Sequence, residues 1–365
     1  MAAARHVSIL TLLCAGATAF APQTRTTTLL PQTRARTTLL RAGNPFEDFL
    51  GQFAPKTAAS AASGPLVLPP SAVAVVGASG NVGKLVVLRL ADQGYKVRAV
   101  VRGAGSKGRL ADFLGDKASD VDIVVADVTA GDAAKQLAPA VAGAAACVVC
   151  TGTTAFPTKA WAAGDVAPDD VNGVVWDALT GASFDLRAAV EALSAKGLNT
   201  PARVDAAGVE AVADAVAAAG SCRRVVLMSS LGVTRREGFP FKVLNAAGVL
   251  DAKARGEAAI VDACGRSADC AYSIVRPGQL FGGPYDNNFY LGTLAKLDKD
   301  DGTQALAVQR GDEAAGDTLR SCLAEVIVQT LANANTVDTD YTVLTVKGDA
   351  PSVDAIQDQL TASLA

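Results

Sequence analysis

Histidine is nearly missing from this chain: the one copy, His6, stands in a leader-like segment. The remainder therefore excludes Ser-His-Asp and Cys-His catalysis and any histidine-ligated metal. Aromatic residues make up only 5%, although half of all residues are hydrophobic, with Ala, Val and Gly abundant. A core of such small side chains suits helices packed closely on a parallel sheet. No apolar run approaches the roughly 20 residues that a membrane span needs, so none is expected.

Acid is absent from the start of the chain, where the first carboxylate is Glu47. Residues 7–20 form an apolar run preceded by Arg5 and ended by Ala17-Thr18-Ala19. That pattern reads as a signal peptide over residues 1–19. A Thr/Arg-rich stretch and a Pro/Ala/Ser-rich linker follow, closed by Pro69-Pro70, and residues 20–70 read as a plastid transit peptide and linker. The whole resembles the bipartite presequences of algae whose plastids have extra membranes; a plain secretory signal with a basic arm is the alternative. Without the five arginines before Glu47, 28 basic side chains face 36 acidic ones, a net charge near −8. That balance argues against a nucleic-acid partner.

From residue 71 short apolar runs alternate with Ala-rich stretches, the pattern of an α/β, doubly wound parallel sheet of the Rossmann-like kind in a single domain over 71–348. Strands are expected at 73–76, 97–101, 122–126, 146–150, 224–228, 272–275 and 341–346. Helices are expected at 82–93, 209–219, 250–263 and 319–332. Residues 164–200 look like an insertion with its own helix near 184–195, and 282–316 like a long loop-rich section. Residues 349–365 read as a docking helix covering a sheet edge, with Val353, Ile356, Leu360 and Leu364 on one face. Cys147-Val-Val-Cys150 lies within an expected strand, where neighbours three apart face opposite sides, so it does not read as a redox motif. Cys264 and Cys270, which flank a polar turn, are a candidate redox-sensing pair beside the simpler role of buried small residues.

The strongest motif is Val75-Val76-Gly77-Ala78-Ser79-Gly80-Asn81-Val82-Gly83. A strand runs into three glycines and then into a helix, so the backbone can turn tightly and bring exposed N–H groups to a pyrophosphate. Gly77, Ser79, Gly80, Asn81, Val82 and Gly83 are accordingly candidate cofactor-binding residues. About 20 residues on, an acid would hold the ribose 2′-hydroxyl of NAD. This chain has Arg102, with Lys107 and Arg109 beyond it and no acid until Asp112. A planar guanidinium suits a 2′-phosphate, so NADP(H) is the expected cofactor.

These residues resemble the atypical branch of the short-chain dehydrogenase/reductase family, including its NmrA-like and Tic62-like plastid members. The resemblance covers about 72–346. It rests also on Asp127-Val128, Thr151-Gly152-Thr153, Val204-Asp205-Ala-Ala-Gly208, Met228-Ser229-Ser230 and Arg276-Pro277-Gly278. It implies that Asp127 and Val128 border the adenine, and that Thr151 and Gly152 lie along the ribose and pyrophosphate. It further implies that Lys253 binds the ribose hydroxyls and that Pro277 passes the nicotinamide. Ser230 matches the family's catalytic serine, but its catalytic tyrosine, four residues before the lysine, is replaced by Val249. Tyr285 and Tyr290, in a polar and aromatic loop after the sixth expected strand, are candidates for a relocated acid. Three readings stay open: an NADP-dependent reductase with a non-standard proton donor, a redox-responsive binding or assembly factor of a plastid complex, and a sugar-nucleotide epimerase or dehydratase.

Overall fold

The computed structural model describes residues 66–282 and 302–365. The expected signal and transit segments, Tyr285 and Tyr290 lie outside the described residues. The first half repeats strand and helix: β1 (Ala72–Val76), α1 (Gly83–Asp92), β2 (Lys96–Val101), α2 (Ala104–Leu114), β3 (Val121–Val125), α3 (Ala133–Val141) and β4 (Ala146–Val149). Next come α4 (Val171–Gly181) and α5 (Leu186–Ala195), then a π-helical turn, Ala202–Ala207, running directly into α6 (Gly208–Ala219). After β5 (Arg224–Met228) follow α7 (Val249–Gly265), β6 (Ala271–Pro277) and β7 (Gln279–Phe281). The chain closes with β8 (Ala305–Arg310), β9 (Asp317–Leu319), α8 (Arg320–Thr330), β10 (Thr339–Val346) and α9 (Val353–Leu364).

Eight strands form the main sheet in the order β3-β2-β1-β4-β5-β6-β10-β8, parallel throughout except for the antiparallel edge pair β10–β8. This is the doubly wound sheet expected from the sequence. Its central strands β1 and β4 are unbroken runs of Ala, Val and Cys, as a sheet covered on both faces requires. The β1 sequence AVAVV is buried in four of its five positions. The register pairs Val73 with Val97 on one side and with Ala146 on the other. Strand order reverses at this point between β1 and β4, which opens a crevice at the C-terminal ends of the strands.

One face of the sheet carries α3, α6 and α7, whose Leu137, Val212, Val216 and Ile260 join Cys147, Val149 and Val225 in one core cluster. On the other face α1 packs against α8, and α9 lies along β8. Ile356, Leu360 and Leu364 are buried there while Val353 stays exposed. Gln359 Nε2 donates to the Leu306 carbonyl at 2.9 Å, and the Arg310 guanidinium donates to that of Leu364.

Three differences from the sequence reading have local causes. The stretch 164–200 contains two helices, α4 and α5, which bury one face against each other. The loop-rich section ends in a sheet strand, β8, whose outer residues are too exposed to give a hydrophobic run. Helices α2 and α3 are masked in sequence by Gly105 and Gly108 and by Pro139, all weak helix formers.

Candidate functional site

The glycine loop joins β1 to α1 at the crevice. Gly77 has φ +80°, and a Cβ there would stand 2.7 Å from the Thr151 backbone nitrogen, so the loop lies directly on the exit of β4. Ala78 N donates to the Val100 carbonyl at 3.0 Å, which fastens the loop to β2. A Cβ on Gly83 would collide with the Gly77 carbonyl, so this glycine serves the turn itself. Gly80 differs: its φ is ordinary, and an added Cβ would meet Gly77 O at 3.2 Å and little else. Gly80 and Asn81 are exposed, Ser79 is half-buried and Val82 buried. The first turn of α1 thus presents its N–H groups and positive dipole end to the crevice.

Arg102 lies exposed just past β2, beside Gly103 and the start of α2. In that first turn Ser106 Oγ accepts from Arg109 Nη2 at 2.9 Å. Past β3, Asp127 Oδ1 accepts from both the backbone nitrogen and the hydroxyl of Thr129, each at 2.8 Å, so this carboxylate shapes its own turn. Val128 packs on Gly208, where a Cβ would come within 2.9 Å of Val128 Cγ2. Beside Val128 a cleft of about 320 Å³ opens between the N-terminal ends of α3 and α6, with Thr129, Arg203 and Glu210 in its lining.

Past β4, Thr151 Oγ1 is buried with no hydrogen-bond partner among the described residues. Next to it lies a side chain the sequence reading noted only as part of a motif. Asp205 sits in the π-helical turn, a form frequent at functional sites. Its Oδ1 accepts from Lys253 Nζ at 2.8 Å and its Oδ2 from Thr153 N at 3.1 Å. The carboxylate is fully buried and the ammonium 13% exposed. Gly256 permits the approach: a Cβ there would come 2.6 Å from the Asp205 carbonyl, so only glycine lets α7 settle on the turn. Both charges face Gly152, whose Cβ would find Asp205 Oδ1 at 3.4 Å and Lys253 Nζ at 3.5 Å.

Past β5, Ser230 Oγ donates to the Leu231 carbonyl at 3.1 Å. Its neighbour Ser229 is buried and donates to Glu257 Oε1 at 2.5 Å. Glu257, one turn after Lys253, accepts from Arg276 Nε at 3.0 Å and Nη2 at 2.8 Å. Burial alone would push the Arg276 guanidinium down, but the Glu257 hydrogen bonds and charge, with Asp340 behind them, hold it well above its ordinary value. This pair stitches α7 to β6 and delivers Pro277, whose carbonyl accepts from Leu231 N at 2.8 Å, to the crevice. Val249 opens α7 one turn before Lys253, as the register requires. It is 4% exposed, in a cluster with Val233, Leu250, Phe241 and Leu244. The described tyrosines stand elsewhere: Tyr95 donates to the Val67 carbonyl at 3.0 Å, Tyr341 bonds Thr330, and Tyr272 lies in β6.

Glycine loop, Arg102, Val128, Thr151, Gly152, Lys253 and Pro277 all lie at the C-terminal edge of the sheet. An orphaned buried hydroxyl at Thr151 and an exposed backbone without a side chain at Gly80 fit a bound dinucleotide. Among the described residues no His/Cys/Asp/Glu group could hold a metal ion, and no helix is long and apolar enough to cross a membrane.

A family model described as NAD(P)H-binding matches residues 77–334. Among solved structures, the putative NAD-dependent epimerase/dehydratase from Bacillus halodurans is similar at 19% identity and a TM-score of 0.51 over 80% of this chain and 99% of that one. The oxidoreductase ylbE from Lactococcus lactis is similar at 17% identity and a TM-score of 0.50, over 80% and 95% respectively. At these identities the likeness concerns the fold. Comparison with curated proteins gave no match.

Proposed function

This chain belongs to the NAD(P)H-binding family, and from that premise we propose a plastid protein that holds NADP(H) firmly and turns over carbonyl compounds only slowly. Its role in this reading is that of a redox-responsive binding or assembly factor. The loop Gly77–Gly83 would take the pyrophosphate on the N-terminus of α1, and Arg102 the 2′-phosphate. Val128 would border the adenine, Thr151 and Gly152 the ribose and pyrophosphate, Lys253 the ribose hydroxyls, and Pro277 the nicotinamide. The bound dihydronicotinamide can supply a hydride, and a carbonyl that takes it must also gain a proton on oxygen. A positioned general acid for that step contributes about 10²–10⁴ in rate.

The observation that carries the proposal is Val249. The position one turn before Lys253 is an apolar side chain buried in its own cluster. It can neither donate a proton nor leave its place to something that can. Ser230 offers a hydroxyl, which alone is a poor acid.

The test is a titration with NADPH and NADH followed by a screen of ketones, aldehydes and sugar nucleotides. NADPH should bind at least about tenfold more tightly, a difference of roughly 1.4 kcal/mol. Arg102→Ala should remove most of that gap and leave NADH affinity nearly unchanged. Turnover should stay well below one per second for every substrate. Equal affinities for the two cofactors, or turnovers of several per second, would overturn the reading.

A second reading is a reductase with a relocated proton donor, which Tyr285 or Tyr290 would supply in place of Val249. Brisk wild-type reduction lost in Tyr285→Phe or Tyr290→Phe, with NADPH affinity unchanged, would select it. A sugar-nucleotide epimerase or dehydratase ranks last, because its chemistry calls on the same missing tyrosine.

A further inference from the structure

The described residues include six cysteines, all free. Cys147 and Cys150, on opposite sides of the strand, are both fully buried, and burial pushes the Cys150 thiol up to about 12. Neither is poised to react. A different arrangement surrounds the turn between α7 and β6. Cys264 sits in the last turn of α7, 2% exposed, and Cys270 stands half-buried just before β6. Ser267 N donates to the Cys264 carbonyl at 3.0 Å and Cys270 N to that of Ser267 at 3.5 Å. The chain therefore folds back on itself, and the two side chains pack against one core cluster with a hydrogen bond from the Cys264 thiol to Cys270. Residues 265–269 are all exposed, and a Cβ on Gly265 would meet nothing within 4 Å, so this turn has room to adjust.

A buried cation stands on the opposite face of the sheet, away from this cluster. Arg224, at the head of β5, is fully buried. Its Nη2 donates to the carbonyls of Thr330 and Asn333 and to the Thr336 hydroxyl. Its Nε and Nη1 have no hydrogen-bond partner among the described residues. Burial pushes this guanidinium down to about 10, still cationic at neutral pH, and the groups that counter the effect are Tyr341, Asp338, Cys264 and Cys270. Its neighbour Val225 packs in the cluster of the two cysteines, so Arg224 points to the other face of the sheet and reaches Cys270 only as a positive charge at a distance.

We propose that Cys264 and Cys270 form a reversible dithiol–disulfide pair, oxidised by exchange with a small-molecule disulfide such as oxidised glutathione. The Cys270 thiolate attacks one sulfur of the oxidant, breaks its S–S bond and releases one thiolate. Cys264, once deprotonated, attacks the Cys270 sulfur of the mixed disulfide and releases the second. Two protein thiols lose two electrons and two protons in all, and the oxidant leaves as two thiols. Cys270 goes first because it is the more accessible sulfur and the nucleophile must be the thiolate. Around it are Cys264 from α7, Cys222 and Cys147 from the core and Asp338 from the turn before β10, with the Arg224 charge on the far face of the sheet. The hydrogen bond from Cys264 lowers the Cys270 thiol, burial and Asp338 raise it, Arg224 lowers it, and the balance lies below the ordinary value. The bond ties the far end of α7, which carries Lys253 and Glu257, to the head of β6, which ends at Arg276 and Pro277.

The full chain is incubated with excess oxidised glutathione, capped with an alkylating maleimide and digested with trypsin. Arg266 separates the two cysteines, so the disulfide joins the peptide 256–266 to the one that begins at Ser267. The expected result is that linked pair, a mass loss of about two hydrogens, reversal by dithiothreitol, and persistence of the link in Cys222→Ser. In the reduced protein Cys270 should be alkylated before Cys264, with a rate that reaches half its maximum at a lower pH than for free cysteine. Absence of the link at excess oxidant, a link from Cys270 to Cys222 instead, or prior alkylation of Cys264 would overturn the proposal.

Discussion

The glycine at position 80 separates the needs of the fold from the needs of a ligand. Gly77 and Gly83 are fixed by the chain: one by its positive φ and its contact with Thr151, the other by the Gly77 carbonyl. Gly80 has an ordinary φ, and an added Cβ would press only on the Gly77 carbonyl at 3.2 Å, so its lack of a side chain chiefly serves whatever lies over the loop. Gly80→Val should therefore fold, at a cost of about 1–3 kcal/mol in unfolding free energy for the tight contact of the added carbon with the Gly77 carbonyl. NADPH affinity should fall at least about 100-fold, which corresponds to roughly 2.8 kcal/mol. Equilibrium unfolding and fluorescence titration decide it. A folded variant that still binds NADPH normally would show that the pyrophosphate does not lie there.

At the scale of elements, α9 is held by three buried side chains and a polar net. Asn333 Nδ2 donates to Gln357 Oε1 at 2.8 Å and to Thr361 Oγ1 at 3.1 Å, and Gln357 Nε2 donates to Gln329 Oε1 at 2.9 Å. The helix covers the antiparallel edge strand β8, whose free backbone groups would otherwise invite pairing with another chain. Leu360 is fully buried at its centre. Leu360→Ala should cost about 2–5 kcal/mol, the range for deleting a buried leucine side chain. Because β8 and the cofactor crevice lie at different parts of the sheet, NADPH affinity should hold as long as the protein is folded. A matching loss of affinity in the folded variant would mean that α9 is coupled to the site.

For the whole molecule, the acidic body and the acid-free, arginine-bearing leader are different materials, and we propose that they are separated. Protein isolated from plastids should begin between residue 41 and the linker that ends at residue 70, after an earlier cut following Ala19. N-terminal sequencing checks this, and recovery of a Met1 or Ala2 start from that compartment would refute the targeting proposal. Removal of residues 1–41 takes away five positive charges and the single histidine, so the chemistry open to the folded body does not depend on them.

What the sequence by itself determined are the features whose physics is local. A β-branched run entering three spaced glycines and an apolar helix can be read within a dozen residues, and so can an arginine where an acid would otherwise follow. The absence of a tyrosine one turn before Lys253 needs only the helical repeat. Two short helices and an edge strand were hidden because glycine, proline and polar residues weaken the periodic signal while packing still holds the elements in place. The tertiary structure alone decided the pairing of Asp205 with Lys253, 48 residues apart in the chain. No local propensity specifies that contact. It arises because α6 and α7 cover the same face of one sheet and Gly256 lets them touch, so a buried carboxylate and an ammonium meet beside Gly152. The packing of Cys264 and Cys270 with Cys147 and Cys222 in one cluster was decided in the same way. Sheet order brings β5 between β4 and β6, so the end of α7 and the start of β6 meet the same core as β4.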